Sequence, residues 1–258
     1  MSVNIFLEGL ASQLVIHESE RDSISTSLTT IESRLRSYFA YNGLENTVRF
    51  GSFARRTILP RKADSKSDVD LMVVFDNSAG YRPQTYLDRL KKFAEYYYSR
   101  SDIKQSSPSI VLELNHVSFD LVPAYKDALA YYIPQSATSW QWTDPNSFNS
   151  KLDSGNKDSG YKLKPVIRLV KHWNIQKNYR DISSYELEKK LADELRYAYF
   201  TCSSYTDYAR KGLEAIRYIT NFTRVSTAIS AIDSALQYER DGMPYTAESE
   251  IKKVFPEL

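Results

Sequence analysis

The sequence predicts an α/β (α+β) protein: a mixed part over residues 1–150, then a helical subdomain over residues 151–258. Three observations carry this reading. Apolar residues recur at helical spacing over 24–38 and again over 87–97. Around and after the second of these stretches lie short apolar runs of strand character, one at 67–76 and two flanking Asn115-His116. From Tyr161 onward the apolar patterns are all helical.

Taken in order, Ile24, Leu28, Ile31, Leu35 and Tyr38 define a long N-terminal helix, and Gly43 stops it soon after. Residues 46–50 form a short strand that enters the turn Gly51-Ser52. The run 67–76 is a second strand, and Leu87, Leu90, Phe93, Ala94 and Tyr97 mark a second helix. Ile110–Leu114 and Val117–Val122 read as a hairpin, with Pro123 ending its second strand. Residues 134–160 are rich in Ser, Asp, Asn, Pro and Gly and carry Trp140 and Trp142; they are expected to be a connecting segment. Leu163, Ile167, Val170 and Trp173 then line one helix, with Pro165 in its first turn. Ser183-Ser184-Tyr185-Glu186 has capping-box spacing and opens another helix through Leu187, Leu191 and Leu195. Further helices are expected near 204–220, 225–239 and 245–255.

Composition narrows the function classes. Of 258 residues, 42% are hydrophobic and 26% charged, as in a soluble globular protein. A net charge of +2 is too small for a general nucleic-acid coat protein, although Arg49, Arg55, Arg56, Arg61 and Lys62 form a local basic cluster. No run is long enough to span a membrane, and the N-terminus lacks a secretory pattern. Cys202 is the single cysteine, which excludes an intrachain disulfide or a thiolate zinc site. The chain is therefore expected in the cytoplasm, with no membrane partner. His17, His116 and His172 have no metal-ligand spacing.

The chemistry concentrates in three carboxylates. Strand alternation turns Asp68 and Asp70 to the same face, where like charges repel unless a cation separates them. Asp120 sits in an apolar strand with Phe119 and Leu121 on the opposite face, and a carboxylate there needs a cation or several donors. A strand from the hairpin can lie beside 67–76 and bring Asp120 to the other two. Oxygen-only ligands suit Mg²⁺, which takes a few carboxylates and completes its shell with substrate phosphates. Three convergent carboxylates fit a two-ion arrangement, with Asp120 nearest the attacking hydroxyl. The Gly51-Ser52 turn supplies backbone N–H groups for phosphate.

Gly51-Ser52, Asp68-Val69-Asp70 and Asp120 resemble the signature of the DNA polymerase β-like nucleotidyltransferase superfamily. The longer strings Gly51-Ser52-Phe53-Ala54-Arg55-Arg56-Thr57 and Phe119-Asp120-Leu121-Val122-Pro123-Ala124 resemble the bacterial cGAS/DncV-like, or SMODS, nucleotidyltransferases. Leu169-Val170-Lys171-His172-Trp173-Asn174 and Ser184-Tyr185-Glu186-Leu187-Glu188 are similar to helical-domain motifs of that group and of oligoadenylate synthases. The resemblance covers nearly the whole chain. It implies a polymerase-beta-like catalytic core with a long N-terminal helix over 1–150, and an oligoadenylate-synthase-like subdomain over 151–258 that closes the nucleotide cleft.

The resemblance also implies an activity: Mg²⁺-dependent synthesis, with two ions or Mn²⁺ in their place, of a cyclic di- or trinucleotide second messenger. NTPs are the substrates, pyrophosphate is released, and the setting is bacterial anti-phage signalling. By the same resemblance Asp68, Asp70 and Asp120 bind metal, while Gly51 and Ser52 bind the triphosphate. Lys171 reaches the phosphates, Ser184 adds a hydroxyl contact, and Tyr185 stacks on the donor base. Implied partners are a regulatory protein or RNA activator and a downstream effector that binds the product. Two alternatives stay open: nucleotide transfer to tRNA, RNA or protein, and a nucleotide-binding scaffold with a silenced site. The gap from Gly51-Ser52 to Asp68 is lengthened by the insert Arg61–Lys66, whose Asp64 lies outside any strand pattern and is left out of the metal set.

Overall fold

The computed structural model describes residues 2–127 and 130–258. Its elements in chain order begin with α1 (Val3–Gln13), α2 (Glu18–Tyr38), β1 (Leu44–Arg49), α3 (Gly51–Arg55), β2 (Asp68–Phe75) and α4 (Pro83–Tyr97). Strands β3 (Asp102–Ser106), β4 (Ser109–Glu113), β5 (Ser118–Asp127), β6 (Ala130–Pro134) and β7 (Trp140–Thr143) follow. The rest is helical: α5 (Pro145–Asp158), α6 (Leu163–Gln176), α7 (Ser184–Glu194), α8 (Tyr205–Ala215), α9 (Phe222–Arg240) and α10 (Pro244–Val254). The mixed α/β architecture expected from the sequence is present. Among the described residues no helix is long and apolar enough to cross a membrane.

These residues form two compact units, one of residues 17–55 and 66–146, the other of residues 1–16, 56–65 and 147–258. The segments 1–16 and 56–65 group with the helices that follow residue 146. Each grouping has a packing cause. Phe6, Leu7 and Leu10 of α1 and Leu14 just after it join the buried cluster of the helical unit, and so do Leu59 and Ala63.

The sheet unit is built on the strand order β1-β2-β5-β4-β3, with β6 pairing β5 and β7 pairing β6. All pairings are antiparallel except β2 with β5, which the crossover through α4, β3 and β4 makes parallel. The faces divide as the alternation requires. Phe75 meets Phe39 edge-on at 5.2 Å and stacks on Tyr86 of α4 at 4.8 Å, which assigns Leu71, Val73 and Phe75 to the helix-covered face. Met72, Val74 and Ala124 form a separate cluster with Val48 and Phe50 on the other face. Asp68 and Asp70 share the phase of Met72 and Val74, so the carboxylates stand on that second face.

Two local expectations are corrected. Pro123 does not end the strand: β5 runs to Asp127, with Pro123 opposite Val73. The pairing with β4 stops at Leu121, so the missing proline N–H removes no bond to β4. The stretch 134–160 is also more than a connector, since it holds β7 and α5. In α5, Leu152 is fully buried in the helical core with Phe148 packed against it, and this burial overrides a helix-poor composition.

The helical unit packs α1, α6, α7, α8, α9 and α10 around Ile167, Val170, Trp173, Leu191, Leu213, Ile232 and Phe255. Its helices begin on the caps the sequence offers. The Ser183 hydroxyl accepts from the N–H of Glu186 at 3.2 Å, and Ser204 with Asp207 forms a complete capping box on α8.

Candidate active site

The register of β2 and β5 assembles the carboxylates. Asp70 pairs directly with Asp120, and Asp68 with Ser118, so the three acids occupy adjoining positions of two neighbouring strands. Asp68 is exposed, whereas Asp70 and Asp120 are half-buried. The Ser109 hydroxyl on β4 lies 3.0 Å from Asp120 Oδ2 and 2.9 Å from the Ser106 carbonyl, so its one proton is shared between two acceptors. Burial and the neighbouring charge of Asp68 push the Asp120 carboxyl up to about 6, against the opposing pull of the Ser109 hydroxyl. A carboxylate disfavoured in this way gains most from a nearby cation.

Gly51 is required at its position for two reasons. Its φ of +72° is the left-handed conformation, and a Cβ there would lie 1.7 Å from Asp70 Oδ2. The turn is fixed to the strand by the Phe50 N–H, which donates to the Asp70 carbonyl at 3.3 Å. The Gly51 Cα, without a side chain, and the acid are thus packed against each other, and the buried Ser52 follows at once in α3.

Among the described residues no group of three His, Cys, Asp or Glu side chains stands in a complete metal-holding arrangement. The donor set nevertheless fits a hard divalent ion: carboxylates only, on one face, one of them penalised as an anion. Mg²⁺ bound by one or two carboxylates takes its remaining ligands from water and substrate phosphates, so the protein alone does not form a cage.

The other expected site residues lie in the helical unit. Lys171 does not offer a free ammonium: it is 4% exposed and donates to Glu188 Oε1 at 2.9 Å and to the Thr57 carbonyl at 3.2 Å. Glu188 is fully buried, so the two charges compensate each other away from water. Ser184 is exposed at the first position of α7, because Ser183 holds the cap. Tyr185 is 57% exposed and meets Phe148 edge-on at 5.8 Å. The Asp64 carboxylate is held by Arg180 through contacts of 2.6 and 3.1 Å. His116 bonds Ser27 at 3.0 Å, and burial holds the His172 imidazole below its ordinary range while Nε2 bonds the Pro256 carbonyl at 2.8 Å. Ser109 was not legible as a site residue, because nothing in its local sequence marks it; only the β4–β5 pairing brings it to Asp120.

Comparison with known proteins identifies the family and the fold. Residues 1–156 match the family model of the Second Messenger Oligonucleotide or Dinucleotide Synthetase domain, SMODS. A probable cyclic nucleotide synthase of Bacillus cereus strain VD146 is 25% identical over 95% of this chain and 91% of its own length. A cyclic AMP-AMP-AMP synthase of Acinetobacter is 24% identical over 67% of this chain and 53% of its own. Among solved structures, CdnC of Escherichia coli MS115-1, solved with ATP, has a TM-score of 0.73 at 15% identity and covers 96% of both chains. The Vibrio cholerae cyclic AMP-GMP synthase DncV, with a linear intermediate, also has a TM-score of 0.73, at 12% identity over 95% of this chain and 92% of its own. The fold is therefore that of the cGAS/DncV-like nucleotidyltransferases, and the chain belongs to the SMODS family of nucleotidyltransferases that make cyclic oligonucleotides.

Proposed function

We propose that this protein is a Mg²⁺-dependent cyclic di- or trinucleotide synthase, using NTPs and releasing pyrophosphate, for bacterial anti-phage signalling in the cytoplasm. The observation that carries the reading is the register that sets Asp70 opposite Asp120, with Asp68 beside them and Gly51 against Asp70. Asp68, Asp70 and Asp120 hold the metal. When bound, Mg²⁺ supplies charge for the triphosphate and lowers the pKa of the attacking hydroxyl. Asp120 is the acid we assign to accept the proton of the acceptor 2′- or 3′-hydroxyl as its oxygen attacks the α-phosphate and pyrophosphate leaves. Backbone N–H groups at Gly51-Ser52 and the Ser52 hydroxyl bind the triphosphate. Ser184 adds a hydroxyl, and the exposed Tyr185 ring stacks on a base. Lys171 we assign to holding Thr57 and Glu188 rather than to phosphate.

The family match and the named cyclic nucleotide synthases support a nucleotide acceptor over tRNA or protein, and the intact acids speak against a silenced scaffold. CdnC has been solved with a HORMA partner, which supports a regulatory protein here as well. The test is mass spectrometry of phosphatase-resistant products from purified protein, mixed NTPs and Mg²⁺. Wild type should yield a cyclic product and Asp70→Asn none. Labelled NTP appearing on tRNA or protein instead, with no cyclic species, would overturn the reading.

A further inference from the structure

The helical unit contains a groove of about 740 Å³ lined by α9, α10 and the C-terminal end of α6. Its size is within the roughly 300–1,000 Å³ typical of small-molecule sites. Trp173, Ala228 and Val254 form a buried floor. Thr223, Thr227, Ser230 and Ser234 present a hydroxyl stripe along α9. Lys177, Arg224 and Lys253 bring positive charge, and only Lys253 is neutralised, by Glu250 at 2.5 Å. Among the described residues neither Lys177 nor Arg224 is paired with a carboxylate.

A second observation comes from the loop that follows Lys177, whose Tyr179 touches Arg224 of the groove. Tyr179 and Arg180 are consecutive non-glycine residues with φ of +57° and +59°. Such residues cost about 1–3 kcal/mol each, persist only where the surroundings over-determine them, and cluster at ligand clamps. The surroundings here do so. Arg180 is held by Asp64, and its N–H donates to the Asn174 carbonyl at 2.8 Å. The Asn178 amide donates to Asn174 Oδ1 at 2.9 Å and to Thr220 at 2.7 Å. Asp181 accepts from the Thr220 hydroxyl at 2.6 Å and the Asn221 N–H at 3.3 Å. All this fixation leaves the Tyr179 ring 78% exposed, with the Arg224 guanidinium 4.5 Å from its centroid. The positive end of the 19-residue α9, capped by Asn221, lies beside the same cations.

We propose that this groove is a second ligand site, separate from the catalytic acids, for an anionic aromatic molecule of the nucleotide class. Lys177, Arg224 and the start of α9 take the phosphate, the Tyr179–Arg224 pair takes the planar ring, and the α9 hydroxyls take sugar oxygens. Two sources share this chemistry, a substrate NTP and the cyclic product. The site is a binding device and transfers no group.

The test avoids catalysis altogether, so its failure is distinct from failure of the functional reading. Full-length Asp70→Asn protein in EDTA is titrated by calorimetry with ATP, GTP and cyclic diadenylate. At least one probe should bind, and Lys177→Glu with Arg224→Glu should weaken it tenfold or more. Thr227→Trp, which fills the groove at an exposed position and leaves every charge in place, should weaken it similarly. Lys157→Glu, exposed on α5 outside the groove, should change nothing. Unchanged melting temperature and circular dichroism verify folding of each variant. Binding of the NTPs identifies the substrate as the source, and binding of cyclic diadenylate alone identifies the product. The proposal is overturned if no probe binds, or if binding survives both the charge reversals and Thr227→Trp.

Discussion

Asp120 makes the sharpest stability prediction. In the fold its carboxyl keeps a proton up to about pH 6, whereas the ordinary value is 3.8. Between those values the folded protein binds more proton than the unfolded chain, so stability falls as pH rises through the window. The penalty is complete by about pH 7 and amounts to at most about 3 kcal/mol for a shift of two units. Asp120→Asn keeps the shape, still accepts the Ser109 hydroxyl through its amide oxygen, and removes the charge. In EDTA at pH 7.5 the variant should therefore be more stable than wild type, by up to about 3 kcal/mol, or about 6–12 °C in melting temperature. At pH 5 roughly half of the gain should remain. Thermal melts of both proteins from pH 5 to 8 read this directly. A variant that melts at or below the wild-type temperature at pH 7.5, or a gain that does not shrink toward pH 5, would refute the assignment of a charge penalty at this site.

Other outcomes follow from the same structure. Gly51→Ala must hold a side chain at φ +72° and displace the Asp70 carboxylate; it should lose about 2–4 kcal/mol in urea unfolding and all product formation. Lys171→Met removes the cation facing the buried Glu188 and should cost about 3–5 kcal/mol, while Lys171→Met with Glu188→Leu should recover most of it in the same assay. Addition of Mg²⁺ with a non-hydrolysable NTP should raise the melting temperature of wild type and leave that of Asp68→Asn with Asp70→Asn nearly unchanged. Arg180→Ala removes the contacts of this side chain with Asp64 and should speed amide exchange across residues 177–181.

Much of the sheet unit was legible because period-two patterns report directly on faces. Asp68 and Asp70 had to share a face, and Phe119 and Leu121 had to turn Asp120 away from the helix-covered side. Register was not legible. That Asp70 stands opposite Asp120, rather than a residue to either side, is decided by the crossover through α4 and the β3–β4 hairpin. Helix α5 failed to show for a different reason: its sequence is rich in Asn, Ser, Asp and Gly, and the helix exists because Leu152 is buried by other segments, with Phe148 partly buried beside it. Propensity within 145–158 carries no information about partners so far along the chain.

Helix α6 shows where motif reading and physics part. A helix with one apolar stripe exposes its polar face, and by that rule Lys171 faces water. Yet Arg168, Lys171, His172 and Asn174 are buried along with Ile167, Val170 and Trp173. Arg168 and Lys171 are covered by the segment 56–65, whose carbonyls they bind: Arg168 donates to Arg56 at 3.0 Å, and Lys171 to Thr57 at 3.2 Å. Arg56 has a φ of +61°, a conformation that a non-glycine residue keeps only when held. Two cations one helical turn apart supply that hold on successive carbonyls. The sequence motif around Lys171 therefore encodes a clamp on the backbone that leads out of the Gly51-Ser52 turn, a role that residue type and spacing alone could not distinguish from a phosphate contact.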